Sequence, residues 1–111
     1  MVVELLFWEG CPSHPDALAD LRAALLERGL DPDGVVVREV ESDVDARRTR
    51  FPGSPTIRLD GADVVDPGDE PPGLTCRVYR LRDGRFSPTP DPGELRAALD
   101  RALAAERSRA A

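Results

Sequence analysis

The sequence contains no lysine, so every basic side chain in it is an arginine. Chemistry that depends on lysine, such as Schiff-base catalysis or phosphate binding by a P-loop, is therefore excluded. A nucleophilic serine elbow and the four-ligand spacing of a structural zinc site are also missing. Histidine, tryptophan and tyrosine occur once each, as His14, Trp8 and Tyr79. A metal site or catalytic dyad that needs histidine would have to be built around His14.

Positive charge is also scarce, because 15 basic residues face 21 acidic ones and leave a net charge of −6. Proteins that bind nucleic acids or anionic membranes usually carry a basic excess. No apolar run approaches the roughly 20 residues that span a bilayer, and the first residues show no basic leader. We therefore expect a cytoplasmic protein with no nucleic-acid or membrane partner.

The pattern of elements predicts one α/β domain that spans residues 1–111. Short runs of β-forming residues predict strands at 2–8, 35–40 and 56–59, with a return strand after an Asp60-Gly61 hairpin turn. Helical periodicity and capping residues predict three helices. The first covers residues 16–28 and is followed by Gly29 at the position of a helix-ending glycine. The second begins from Ser42, and the third begins after Asp91. Residues 74–86 predict a further hairpin inserted before the last helix. This order predicts a mixed central sheet flanked by helices.

The start of the first helix decides where Cys11 lies. If the helix began at Pro12, Pro15 would fall where a backbone N–H should already bond to the preceding turn. With Ser13 as the N-cap, Pro15 falls at the second helical position and Asp16 completes a capping box. We therefore expect Cys11 to lie just outside the helix, where the effect of the helix dipole on its pKa is weaker.

Three features together resemble the thioredoxin superfamily, including its glutaredoxin branch. They are Cys11 in Cys-Pro-Ser-His after the first strand, Pro55 in Gly-Ser-Pro-Thr-Ile at the third strand, and the order of the elements. The resemblance covers residues 2–65 and the last helix, and it implies a thioredoxin-like fold in which residues 66–90 are an insertion or lid. It also implies that Cys11 is the nucleophile and that Pro55 is a cis-proline facing it. The backbone of Ser54 would then pair with an extended substrate chain.

The motif differs from the Cys-x-x-Cys that is usual in this superfamily, because His14 stands at the second cysteine position. Two interpretations of His14 are open: it stabilises the Cys11 thiolate, or it is a solvent-exposed residue at the helix start. Trp8 stands where glutaredoxins carry a basic residue, so the resemblance does not extend to a glutathione site. With Ser54 and Pro55, Trp8 forms the candidate substrate-binding surface.

Cys76 is the second cysteine and lies within the insertion. In a reducing compartment both thiols are expected to be free at rest. One interpretation makes Cys76 an inert strand cysteine. The other makes it the resolving thiol that the motif lacks, brought toward Cys11 when residues 66–73 fold back from the end of the strand at Val64.

These residues support three functional hypotheses from different classes. The first is a thiol–disulfide oxidoreductase without a bound cofactor, in which Cys11 attacks the disulfide of a protein or small molecule and Cys76 or an external thiol resolves it. The second is a soft-metal protein with Cys11, His14 and Cys76 as ligands of zinc, copper(I) or mercury. The third is a redox-inactive binding module that uses the groove beside Pro55. A lowered pKa of Cys11 would favour the first hypothesis over the third.

Overall fold

A computed structural model describes residues 1–110. Within this range the helices and strands follow one another as β1 (Val3–Phe7), α1 (His14–Glu27), β2 (Val35–Glu39), α2 (Asp43–Thr49), β3 (Thr56–Leu59), β4 (Ala62–Asp63), β5 (Tyr79–Arg80), β6 (Phe86–Ser87) and α3 (Pro92–Ala110). None of these helices is both long enough and apolar enough to cross a membrane.

Strand β1 lies inside a four-stranded sheet whose order is β2-β1-β3-β4. It pairs in parallel with β2 and antiparallel with β3, and β3 continues antiparallel into β4. The β3–β4 hairpin turns at Asp60 and Gly61, whose φ angles of 51° and 84° are those that a tight two-residue hairpin requires. The mixed sheet and the α/β class predicted from the sequence are therefore confirmed.

The two faces of β1 support two separate apolar clusters, because successive side chains of a strand point to opposite faces. Leu5 belongs to the larger cluster, which joins the sheet to α1 and α3. Leu6 belongs to the smaller cluster with Val40, Ala46 of α2 and Phe51. Helices thus cover both faces of the sheet.

Helix α1 begins and ends where the sequence predicts. Ser13 is the N-cap residue and Pro15 lies at the second helical position. At the other end, Gly29 has a φ of 71°, and the amide of Leu30 donates to the carbonyl of Leu25, as in a Schellman motif. The capping box expected with Asp16 is wrong, because the Ser13 side chain makes no capping hydrogen bond.

The predicted hairpin of residues 74–86 is much shorter in the structure, where only β5 and β6 pair with each other. We call the preceding segment and the first residue of β5, residues 73–79, the strap. Instead of extending the hairpin, the strap lies along the loop at residues 51–55 that leads into β3. Its backbone bonds to this loop include Gly73 N to Phe51 O, at 3.1 Å. The prediction that residues 74–78 pair with the second arm of this hairpin is therefore wrong, because the strap bonds to the loop at residues 51–55.

Candidate functional site

Cys11 lies in the turn between β1 and α1, outside the helix as predicted. Its amide donates to the carbonyl of Trp8 at 3.0 Å, and only 2% of the residue is exposed. Its Sγ lies 3.4 Å from the hydroxyl of Ser13 and donates to the carbonyl of Ser54 at 3.6 Å. The Ser13 hydroxyl thus contacts the thiol instead of capping the helix.

Ser54 is fully buried and connects three segments at this site. Its hydroxyl accepts a hydrogen bond from the amide of Trp8 at 3.0 Å. Its amide donates to the carbonyl of Thr75 at 2.8 Å, and its carbonyl accepts from the amide of Arg77 at 2.8 Å. The backbone of Ser54, expected to pair with a substrate, is therefore occupied by the strap.

Cys76 is brought to the same place by this pairing, because it forms an isolated parallel β-bridge with Ser54. Ser54 is thus a direct neighbour of both cysteines. Neither cysteine is in a disulfide. The two thiols differ in accessibility, since Cys11 is buried and Cys76 is exposed.

The two thiols also shift each other's acidity. Burial raises the pKa of the Cys11 thiol, but hydrogen bonds from the Cys76 thiol and from the side chain and backbone of Ser13 outweigh it and lower that pKa overall. The hydrogen bond to Cys11, followed by burial and the charge of the Cys11 thiolate, raises the pKa of Cys76. The first proton is therefore lost from Cys11, and Cys76 keeps its proton to a higher pH.

His14 does not contact the thiol. Its ring stacks on Phe7, with the two ring centroids 4.1 Å apart, and its Nδ1 lies 3.5 Å from the carbonyl oxygen of Cys11. The interpretation of His14 as a direct partner of the thiolate is therefore not supported, because its ring packs against the end of β1. Within residues 1–110 no three Cys, His, Asp or Glu side chains are grouped so that they could hold a metal ion. The set Cys11, His14 and Cys76 does not converge as ligands.

The surface predicted to bind substrate, formed by Trp8, Ser54 and Pro55, is largely covered. Pro55 is buried, and the peptide bond that joins it to Ser54 is cis. The carbonyl of Pro55 accepts a hydrogen bond from the hydroxyl of Tyr79. Trp8 is half-buried and packs on the smaller apolar cluster. The binding-module hypothesis needs a groove beside Pro55, and in this structure Pro55 is buried and the backbone of Ser54 is bonded to the strap.

Two residues that the sequence interpretation passed over hold the strap in place. Tyr79 is buried, and that burial raises its pKa to about 12. Gly53 has a φ of 139°, and a Cβ there would lie 3.2 Å from the amide nitrogen of Arg77. Only glycine readily adopts this backbone conformation, so the strap approaches the loop closely because residue 53 has no side chain. The loop sequence Phe-Pro-Gly-Ser-Pro is rich in the residues that interrupt helices and strands, but it contains no signal that identifies the strap as the partner of the loop.

A cleft of about 330 Å³ adjoins the strap. Cys76 lines it together with Pro52, Val65 and Tyr79, and Cys11 does not. The lining also includes Pro67, Thr75 and Val78 and side chains of both charges, namely Asp66, Glu70, Arg77 and Arg80.

Comparison with known proteins gives this site no counterpart from which its function could be transferred. No family model, no curated protein and no solved structure matches the chain.

Proposed function

We propose that this protein is a thiol–disulfide oxidoreductase of thioredoxin-like fold, in which Cys11 and Cys76 alternate between two thiols and one intramolecular disulfide. The observation that carries the proposal is the position of both cysteines against Ser54. Cys11 donates its thiol hydrogen to the Ser54 carbonyl, and Cys76 is the bridge partner of the same residue. Two free cysteines 65 positions apart in the sequence meet here through tertiary structure.

The acidity of Cys11 supports this chemistry, because the thiolate is the form that attacks a disulfide. The Ser13 hydroxyl stabilises a negative charge on the Cys11 sulfur, and so does the Cys76 thiol. Forming the intramolecular disulfide releases two electrons and two protons from the pair. The substrate disulfide takes up both and leaves as two thiols. No bound cofactor is needed for this cycle.

The thioredoxin-like assignment is supported by the order of the elements and by the position of the site. A cysteine follows β1 and faces the residues just before β3, while α1 and α3 share one face of the sheet and α2 lies on the other. The Cys-Pro-Ser-His motif lacks the usual second cysteine, and the strap supplies one from another part of the chain. The insertion therefore belongs to the proposed active site.

The proposal is tested by multiple-turnover reduction of a model disulfide with dithiothreitol as electron donor. We expect Cys11→Ser and Cys76→Ser each to lower turnover by about a hundredfold or more, because each removes one sulfur of the exchanging pair. Val36→Ala is the control, since Val36 of β2 is 48% exposed and does not line the cleft that contains Cys76. Val36→Ala should keep the wild-type rate. Wild-type turnover in either cysteine variant would contradict the proposal.

A further inference from the structure

The accessibility of the two sulfurs decides which of them can meet a partner in solution. Cys11 is 2% exposed and is enclosed by Ser13, by Ser54 and by the strap. Cys76 is exposed and lines the cleft of about 330 Å³. Because the site of attack in thiol–disulfide exchange depends on access, only one of the two sulfurs is open to an outside molecule in this form.

We propose that Cys76, and not Cys11, exchanges with the outside partner, and that this partner is a small disulfide or thiol held in the cleft beside Cys76. The proposal rests on the proposed function, since it assigns the order of the two thiols within the same cycle. It reverses the order that the resemblance to the thioredoxin superfamily implied, in which Cys11 is the nucleophile. Cys11 then acts as the internal, resolving thiol.

The size and position of the cleft favour a small molecule. Pockets that bind small ligands typically measure about 300–1,000 Å³, and this cleft lies at the lower end of that range. An extended protein chain would need a free backbone edge to pair with. The edge at Ser54 is already taken, because Thr75 and Arg77 bind both its amide and its carbonyl.

The oxidising half of the cycle balances as two exchanges. The Cys76 thiol loses its proton to solvent and attacks one sulfur of the outside disulfide, which forms a mixed disulfide and releases one outside thiolate. The Cys11 thiol then loses its proton to solvent, and the resulting thiolate attacks Cys76 Sγ, which forms the Cys11–Cys76 bond and releases the second outside thiolate. Both released thiolates take protons from water. Two protein thiols are oxidised, and one outside disulfide is reduced.

The reducing half runs through the same atoms in reverse. An outside thiolate attacks the accessible Cys76 sulfur, and Cys11 leaves. Of the hydrogen bonds that stabilise the Cys11 thiolate, those from Ser13 remain when Cys76 is part of a disulfide, and they stabilise Cys11 as it leaves. A second outside thiol then releases Cys76 from the mixed disulfide. Access therefore favours attack at Cys76 in both halves of the cycle.

The test uses the full-length variants Cys11→Ser and Cys76→Ser, which leave one thiol each, with 2-hydroxyethyl disulfide as the probe. Adduct formation is followed by intact mass at neutral pH. We expect the variant that keeps Cys76 to form its adduct at least about tenfold faster than the variant that keeps Cys11, because Cys11 is buried. In concentrated urea the two rates should converge. Equal rates in the folded proteins, or a faster reaction at Cys11, would overturn the inference.

A measurement on the wild-type protein removes any dependence on how the variants fold. A limiting amount of N-ethylmaleimide, quenched with excess thiol and mapped by peptide mass, should label Cys76 before Cys11. Preferential labelling of Cys11 would overturn the inference while leaving the proposed function intact. If excess 2-hydroxyethyl disulfide instead leaves the wild-type protein with two stable adducts and no intramolecular disulfide, the proposed function fails as well.

Discussion

The two cysteines lie in regions that are held together by different forces. Cys11 belongs to the body, residues 1–65 together with α3, whose sheet and helices bury two apolar clusters. Cys76 belongs to the strap, where Val78 is 69% exposed and Tyr79 alone is buried. The strap is held mainly by hydrogen bonds to the loop at residues 51–55 and to the start of β3. We therefore expect the body, which carries the buried thiol of Cys11, to be more stable to local unfolding than the strap.

This difference matters for a redox pair. Burying a large apolar side chain contributes about 1.5–3 kcal/mol, whereas a hydrogen bond contributes about 0.5–1.5 kcal/mol. The body contains many buried apolar side chains, and the strap contains few. We therefore expect the strap to detach, and Cys76 to move away from Cys11, at a free-energy cost well below that of global unfolding. Such mobility would let the two sulfurs separate after reduction without loss of the fold.

The largest expected effect is on the body. Leu5→Ala removes a fully buried side chain from the larger cluster, and we expect it to lower the free energy of unfolding by about 3 kcal/mol. Val78→Ala in the strap should change that free energy by less than about 0.5 kcal/mol. Chemical denaturation followed by the fluorescence of Trp8 measures both. Similar losses in the two variants would mean that the strap is as tightly packed as the body.

A pH titration reports on the strap alone, because Tyr79, its last residue, is the only tyrosine in the sequence. Burial raises the pKa of Tyr79 to about 12 from the ordinary 10. A group with a raised pKa stabilises the fold fully below its unfolded value and loses that contribution as the pH rises through the folded value. We therefore expect a loss of up to about 3 kcal/mol between pH 10 and pH 12.

Tyrosinate absorbance reports this titration directly, and Tyr79→Phe is its control. The substitution should remove the tyrosine-linked part of the alkaline destabilisation, because the ionising hydroxyl is gone. A midpoint near pH 10 in the folded protein would contradict the burial of Tyr79 under the strap.

Gly53 tests the close approach of the strap to the loop. Gly53→Ala forces a side chain into a backbone conformation with a φ of 139° and against the Arg77 backbone, so we expect a cost of about 1–3 kcal/mol. Gly73→Ala is the control, since a Cβ at this strap residue meets no atom within 4 Å. Hydrogen exchange of the Arg77 amide should speed up in Gly53→Ala alone. Equal stability and equal exchange of the Arg77 amide in the two variants would mean that the close contact between Gly53 and Arg77 does not hold the strap in place.

The smallest expected effect on stability concerns Ser13. Ser13→Ala should raise the pKa of Cys11, because the hydroxyl lowers it, but it should change the free energy of unfolding by less than about 0.5 kcal/mol. Ser42→Ala is the matched control, since Ser42 accepts a true capping hydrogen bond from Asp45 and its loss costs about 1 kcal/mol. The pH dependence of alkylation, mapped to Cys11, measures the pKa. A shift in Ser42→Ala instead of Ser13→Ala would contradict the assignment.

The elements of the body could be predicted from the sequence because their signals are local. The Ser13 N-cap, the Gly29 helix end and the Asp60-Gly61 turn each depend on residues within a few positions of one another. The bridge between Ser54 and Cys76 depends on residues 22 positions apart. Residues 74–78 carry β-forming side chains, but such a pattern does not specify the partner strand.

The details of the site were predictable only in part. That Cys11 would lie outside the helix followed from the position of Pro15. The direction of the His14 ring did not, because a residue in the first helical turn can pack on Phe7 as readily as face the thiol. Ser13 was identified as a cap, and its hydroxyl instead contacts the Cys11 sulfur. The Ser13 backbone has helical angles, φ −87° and ψ −8°, and not the extended ones of an ordinary N-cap, and the sequence does not specify this difference.

The central claim is that Cys11 and Cys76 form a reversible disulfide within one chain. The most direct test incubates the dilute protein with excess 2-hydroxyethyl disulfide, quenches it in acid, alkylates it in denaturant and measures the intact mass. The account predicts a monomer that is two hydrogens lighter than the reduced protein, carries no alkyl group and returns to two alkylatable thiols after reduction. A monomer whose two cysteines both remain alkylatable after oxidation would contradict it.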